Sequence, residues 1–207
     1  MTEKIRVLIA DDHAIVRMGL TSILETQPDI SVVGEAEDGN EAISKAAECK
    51  PDVILMDLMM PVLDGVSATS QIHESFPDIK ILLLTSYGSA DGIAHALEAG
   101  ASGAIMKNIK YTELIKTIRT TVHGKRVISP TIKRALKESP PIPELTERQK
   151  QILQSIVRGL TDADIALELG LSTRGIRDHI TTIFAKLGAA NRAEAVAIAM
   201  RKHLLKI

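Results

Sequence analysis

The chain has a single cysteine, Cys49, so no disulfide framework can staple it and a reducing compartment suits it. No apolar run approaches the roughly 18 residues needed to span a bilayer. The opening stretch MTEKIRVLIADD ends its short apolar run on two aspartates, which fits neither a signal peptide nor an anchor. Secreted, membrane-spanning and disulfide-stapled classes are set aside, and a cytoplasmic protein without a membrane partner is expected. There is no internal repeat and no low-complexity segment. What is present is 207 residues, 45% hydrophobic and 25% charged, enough to bury a core in one large domain or two small ones.

The formal charge of −1 conceals a division. Residues 1–124 hold 10 basic and 18 acidic side chains, a balance of −8, and residues 125–207 hold 15 and 8, a balance of +7. Two units with different partners are implied, the basic one a candidate polyanion binder. Between them Pro130, Pro140, Pro141 and Pro143 interrupt regular structure, since proline lacks the donor and restricts its predecessor. The expected organisation is a first domain over 1–124, a linker over 125–144 with a short helix near 131–137, and a second domain over 145–207.

In the first domain short apolar runs at 5–10, 30–35, 53–56, 79–84 and 103–106 alternate with helical stripes such as Val16, Leu20, Ile23 and Leu24. Five strands alternating with five helices predict an α/β doubly wound parallel sheet. Ligands of such a sheet bind beyond the carboxyl ends of the strands. Asp11 and Asp12 follow the first strand, Asp57 the third, Thr85 the fourth and Lys107 the fifth. The sheet brings them to one edge. Three carboxylates there repel unless a cation holds them, and an all-oxygen set suits Mg²⁺. Lys107 supplies a positive charge for a phosphoryl oxygen, Thr85 a hydroxyl, and Asp57 a carboxylate able to form an aspartyl-phosphate.

The segments Ala10-Asp11-Asp12-His13, Met56-Asp57-Leu58-Met59-Met60-Pro61-Val62-Leu63-Asp64-Gly65, Leu84-Thr85-Ser86 and Lys107 resemble the receiver domain of two-component response regulators over roughly residues 4–122. The resemblance implies a flavodoxin-like fold with Asp57 as phosphoacceptor. It implies Mg²⁺ held by Asp12, Asp57 and the backbone carbonyl of Met59, with Asp11 acting through water, and Thr85 with Lys107 as the phosphate-sensing pair. Asp64 and Gly65 read as a turn into the next helix, His13 as a flank of the first helix. Two positions depart from the pattern. Ala104 stands where an aromatic residue often moves inward on activation, which leaves Tyr87 as the candidate substitute. Asn108 follows the lysine where proline is common.

The last 63 residues carry no strand pattern. Thr146-x-x-Gln149 and Thr161-x-x-Asp164 read as capping boxes, and Gly159, Gly170 and Gly188 as helix stops. Helices are expected near 146–158, 161–169, 173–187 and 191–204, in all-α helix-turn-helix order. Leu145-Thr146-Glu147-Arg148-Gln149, Asp164-Ile165-Ala166, Leu171-Ser172, Ile176-Arg177-x-His179 and Lys186-Leu187 resemble the LuxR/FixJ-type DNA-binding domain. In helix 173–187, Ile176, Ile180, Ile183 and Leu187 share one stripe at 100° per residue. Arg174, Asp178, Thr181 and Ala185 lie opposite, flanked by Arg177 and Thr182, and suit a major groove. Arg174, Arg177, Asp178, Thr181, Thr182 and Lys186 are the candidate DNA contacts, and His179 faces the core side. Gly175 departs from the β-branched or hydroxyl residue usual there.

The whole chain thus resembles a NarL/FixJ-class regulator. The resemblance implies a non-enzymatic transcription factor, phosphorylated by a sensor histidine kinase, binding double-stranded DNA and dimeric when active. An aspartate-based phosphohydrolase is the first rival, but Met59 occupies the place of its second acid. A basic module docking protein or RNA is the second.

Overall fold

The computed structural model describes residues 4–86, 90–138, 145–201 and 204, and the chain divides into two compact units, 1–141 and 142–207. In the first, strands β1 (Ile5–Ala10), β2 (Ile30–Ala36), β3 (Val53–Asp57), β4 (Lys80–Thr85) and β5 (Gly103–Met106) alternate with helices α1 (Ala14–Glu25), α2 (Gly39–Cys49), α3 (Gly65–Ser75), α4 (Ala90–Glu98) and α5 (Tyr111–Val122). All strand pairs are parallel, and the order is β2-β1-β3-β4-β5, extended by β6 (Val127–Ile128). The strand order turns at β1 and β3, so the crevice of this doubly wound sheet opens at their carboxyl ends.

The apolar runs become strands because both faces of the sheet are covered. Leu8, Ala10, Ile54, Met56, Ile81 and Leu83 pack into one aliphatic cluster. Val7, Ile9, Val53, Leu55, Leu82 and Leu84 pack into another. The period-two alternation of a strand sends neighbours to opposite faces, so each run must be apolar throughout. Asp38 and Asp64 cap α2 and α3, their carboxylates accepting from the amides of Glu41 and Ser67.

The sheet has six strands rather than the five expected from the sequence. β6 pairs Val127 with Gly103 and Ile128 with Ala104. Helix α6 (Pro130–Glu138) follows, packed on α4 and β5, with Ile132 buried and Leu136 against the same cluster. Residues 127–138, read from the sequence as part of the linker, are therefore folded onto the first unit. A strand of two residues, Val127 and Ile128, is too short to show a period. Three prolines at 140, 141 and 143 lie outside the described residues.

The second unit is helical: α7 (Glu147–Val157), α8 (Asp162–Leu169), α9 (Thr173–Leu187) and α10 (Arg192–Arg201). Both capping boxes form, Thr146 with Gln149 and Thr161 with Asp164. Gly170 closes α8 at φ 64°, a left-handed position that glycine adopts without penalty, and Ser172 caps α9 two residues later. Ile152, Leu153, Ile156, Ile165, Ile176, Ile180, Ile183 and Leu187 form the core.

Val62, in the loop after β3, has φ 61°. A β-branched residue there is strained by about 1–2 kcal/mol, and glycine is not. Val62 is exposed, so removing its side chain loses little packing. Val62→Gly is expected to stabilise the chain by about 1 kcal/mol, after the entropic cost of glycine. Urea unfolding followed by circular dichroism checks this; an unmoved or lowered midpoint would show that the position carries no strain.

Candidate functional site

At the carboxyl edge of the sheet, β1 runs into Asp11 and Asp12 and β3 ends on Asp57. Asp11 and Asp57 are buried, while Asp12 and His13 are exposed. Ligand atoms of Asp11, Asp12, His13 and Asp57 all lie within 4.8 Å of one another. The Lys107 ammonium reaches across from the end of β5, 2.6 Å from Asp11 Oδ2 and 2.8 Å from Asp57 Oδ2. Its backbone N–H donates to the carbonyl of Thr85 at 2.8 Å, which ties the end of β4 to the end of β5. Thr85 is buried. Gly65 makes this arrangement possible: a Cβ there would sit 2.0 Å from the carbonyl oxygen of Asp57, so any side chain would push α3 off the site.

The electrostatics follow from burial. Burial pushes the Asp57 carboxyl above the usual range; the Lys107 ammonium pulls it back down, Asp11 repels it further upward, and the Met59 amide lowers it by hydrogen bonding. Burial draws Lys107 downward, but its bonds to Asp11 and Asp57 outweigh that and hold it above an ordinary lysine. Three carboxylates against one ammonium leave two negative charges at the edge. A divalent cation with oxygen ligands balances them, and Asp11, Asp12 and Asp57 offer hard oxygen donors that fit Mg²⁺. Met59 sits in the loop after β3 with its side chain exposed.

The sequence reading missed one neighbour, Arg17, and placed His13 as the flank of the first helix that it is. Arg17 is buried on the inner side of α1 and donates to the carbonyl of Asp11 at 2.7 Å, to Glu35 at 3.3 Å and to Glu37 at 2.7 Å. Its spacing of three and seven from Leu20 and Leu24 placed it on the apolar stripe, a signal that its charge hid. His13 holds the N-cap position of α1 without a side-chain cap bond. Its Nδ1 lies 2.7 Å from Asp12 Oδ1, so it faces the carboxylates instead of the helix. Ala104 is fully buried beside Ile128, and β6 and α6 cover its face. Tyr87, the candidate substitute for a switch aromatic, lies outside the described residues.

In the second unit Arg174, Arg177, Asp178, Thr181 and Thr182 are exposed along α9, opposite its buried stripe. Thr181 and Thr182 donate to the carbonyls of Arg177 and Asp178, both at 2.9 Å, so their lone pairs face outward. Lys186 differs from its expected place. It is half-buried, and its ammonium donates to Gln149 Oε1 at 3.0 Å, bracing α9 against α7. His179 is half-buried on the core flank, as its spacing predicts. A Cβ at Gly175 would lie 3.3 Å from Ser172 Oγ, which accepts the Gly175 amide. The bare α-carbon leaves that cap room.

Residues 7–119 match the response regulator receiver domain, and residues 143–199 match the luxR family of bacterial regulatory proteins. The chain belongs to the LuxR-type response regulators. This response regulator is 40% identical to the transcriptional regulatory protein LiaR of Bacillus subtilis, over 97% of the chain and 99% of LiaR. It is 39% identical to the response regulator protein VraR of Staphylococcus aureus, over 98% and 99%. Among solved structures it resembles the response regulator ChrA of a heme-sensing two-component system, at 35% identity, TM-score 0.58, and 98% and 99% coverage. RcsB, solved as two dimers bound to two parallel DNAs, aligns at 27% identity and TM-score 0.65 over 97% and 99%. The response regulator is thus a phosphorylation-controlled, DNA-binding regulator of transcription, built on a flavodoxin-like receiver followed by a helical DNA-binding domain. No helix among the described residues is long and apolar enough to cross a membrane.

Because the fold raises the Asp57 pKa, the charged carboxylate costs stability at neutral pH. That cost is absent below the unfolded pKa and sets in as pH rises through the folded one. In metal-free solution with chelator, Asp57→Asn is expected to stabilise the protein at pH 7 by on the order of 1 kcal/mol. The gain should close as pH falls toward about 4. Thermal melts across that range check it; a less stable variant at pH 7 would mean that pairing with Lys107 outweighs the desolvation of Asp57.

Proposed function

We propose that Asp57 accepts a phosphoryl group from the phosphohistidine of a sensor kinase, and that this controls DNA binding through α9. The shared ammonium of Lys107, in contact with both Asp11 and Asp57, is the observation that carries the reading. In the transfer an Asp57 carboxylate oxygen attacks phosphorus, the bond from phosphorus to the histidine nitrogen breaks, and an acyl phosphate forms. Lys107 then moves its charge from the carboxylate to a phosphoryl oxygen, and the Thr85 hydroxyl donates to another. Asp11, Asp12, Asp57 and the Met59 carbonyl would hold Mg²⁺, which when bound neutralises phosphoryl charge.

The first domain over 1–124 acts as the switch and the domain over 145–207 as its output, in the cytoplasm. The phosphorylated form is a homodimer on double-stranded DNA, its half-sites about 10 bp apart centre to centre. Catalysis of a separate reaction is not part of the reading, since Met59 replaces the acid that a phosphohydrolase needs. On α9, Arg174, Arg177, Asp178, Thr181 and Thr182 face the groove. The chemistry of Arg177 suits a guanine edge or a phosphate, and that of Asp178 a cytosine amino group.

Acetyl phosphate with Mg²⁺ is expected to add one phosphoryl group to the wild type and none to Asp57→Asn. Intact-mass analysis reads this directly, and equal labelling of the two proteins would overturn the assignment.

Arg177→Ala should weaken operator binding by about 1–3 kcal/mol if it reads a base. Asp178→Ala should relax preference at one base pair without loss of non-specific affinity. Binding to single-base operator variants at two salt concentrations distinguishes these outcomes. Wild-type behaviour of both variants on every duplex would mean that α9 is not the reading helix.

A further inference from the structure

We infer that Asp162 is a positioning residue for Arg177, an internal counter-ion that competes with DNA for its charge and so lowers affinity for any duplex that engages it. The inference rests on α9 being the helix that meets DNA. Asp162 is the first residue of α8, Arg177 lies on the exposed face of α9, and Arg192 is the first residue of α10. Asp162 Oδ1 accepts from Arg192 Nη1 at 3.1 Å, and the same guanidinium donates through Nη2 to the carbonyl of Leu160. Asp162 Oδ2 lies 3.7 Å from Arg177 Nε. One carboxylate therefore links the entries of α8 and α10 to the reading face of α9.

The two halves of this carboxylate differ. The Arg192 side is a hydrogen-bonded anchor between half-exposed groups. The Arg177 side is an ion pair beyond hydrogen-bond length, and the Arg177 side chain is 71% exposed. Arg177 is thus held near the protein by charge alone, within reach of anything that offers a better acceptor. No other carboxylate of α8 or α9 serves it as well among the described residues. Asp164 is spent on its capping box with Thr161, Glu168 pairs with Arg158, and Asp178, the next residue along the helix, lies about 100° around it from Arg177.

A partly exposed carboxylate offers an arginine the same chemistry as a phosphate, charged oxygens that match the guanidinium fork. Every phosphate on a duplex competes with Asp162 on nearly equal terms, so the pair subtracts from backbone binding at any sequence. A guanine edge engages the same fork through two acceptors and breaks the same pair. The counter-ion therefore weakens binding wherever Arg177 is engaged, at operator and random sequence alike.

The test is a double-mutant cycle on the full-length phosphorylated chain: wild type, Asp162→Asn, Arg177→Ala and the double variant. The probes are an operator duplex selected by the wild type from random sequence and a scrambled duplex, each at two salt concentrations. Asparagine keeps an oxygen for Arg192 and removes only the charge. Asp162→Asn should bind the scrambled duplex about two- to five-fold tighter at low salt, the scale of a partly exposed ion pair. Its salt slope should be steeper by about one, and its affinity for the operator should rise to a similar extent. In the Arg177→Ala background the same substitution should change nothing. An equal gain in that background would overturn the proposal, because Asp162 would then repel phosphates on its own. Unchanged scrambled-duplex binding would also overturn it and leave Asp162 as the anchor of Arg192. If Arg177→Ala binds both duplexes as wild type does, the underlying reading of α9 fails instead. The Arg177 Nε–Hε resonance of the free protein gives a readout independent of DNA and of melting temperature: it should shift in Asp162→Asn, and an unmoved signal would refute the pairing.

Discussion

The arrangement of the first unit hangs on one ammonium shared between two buried carboxylates. Lys107 lies within 3 Å of both Asp11 and Asp57, which come from strands that are neighbours in the sheet but 46 residues apart in sequence. Such a group can persist in an aliphatic protein only if every member is placed by stiff backbone. The sheet supplies that stiffness. β1 and β3 are buried on both faces, Gly65 lets α3 start hard against Asp57, and Arg17 fixes the carbonyl of Asp11 from behind. The pairing remains incomplete, because three acids meet one base. That deficit makes the edge a place for a divalent cation and for phosphoryl chemistry rather than a closed structural salt bridge.

What could be read from the sequence divides along physical lines. The five long strands were legible because a doubly covered strand must be apolar at every position, a requirement that few other structures impose. The acids and Lys107 were legible because a parallel sheet gathers strand ends. The two capping boxes announced α7 and α8 through side chains that bond only to backbone within the same turn. The sixth strand was hidden because Val127 and Ile128 gain their partners from β5, not from any pattern of their own. Arg17 was hidden for a related reason: its burial is made tolerable by Glu35 and Glu37, which are distant in sequence. The bond from Lys186 to Gln149 was not legible, because spacing gives the angle of Lys186 on α9 but not the reach of Gln149 from α7.

The two units carry opposite charge for opposite tasks. In the acidic unit, negative charge is concentrated and desolvated, which raises the Asp57 carboxyl above its usual range against the pull of Lys107. In the basic unit, positive charge is spread over exposed side chains where water and salt screen it, and what matters is how each is restrained. Lys186 is held by a neutral amide and Arg177 by a loose carboxylate, whereas Arg174 is exposed along the same helix.

Ala104 brings these constraints together. An alanine at this position of β5 leaves no ring to rotate, yet the position is fully buried, so something else fills the volume. The filling comes from later in the chain: Ile128 beside it in the sheet and Ile132 and Leu136 from α6, packed in the same cluster. The side chains that close this face therefore belong to the segment leading out of the first unit. α6 also packs on α4, which begins just after Thr85 and the end of β4. A close-packed interior does not deform continuously. A displacement of α4 must therefore be met by repacking at Ile132 and Leu136.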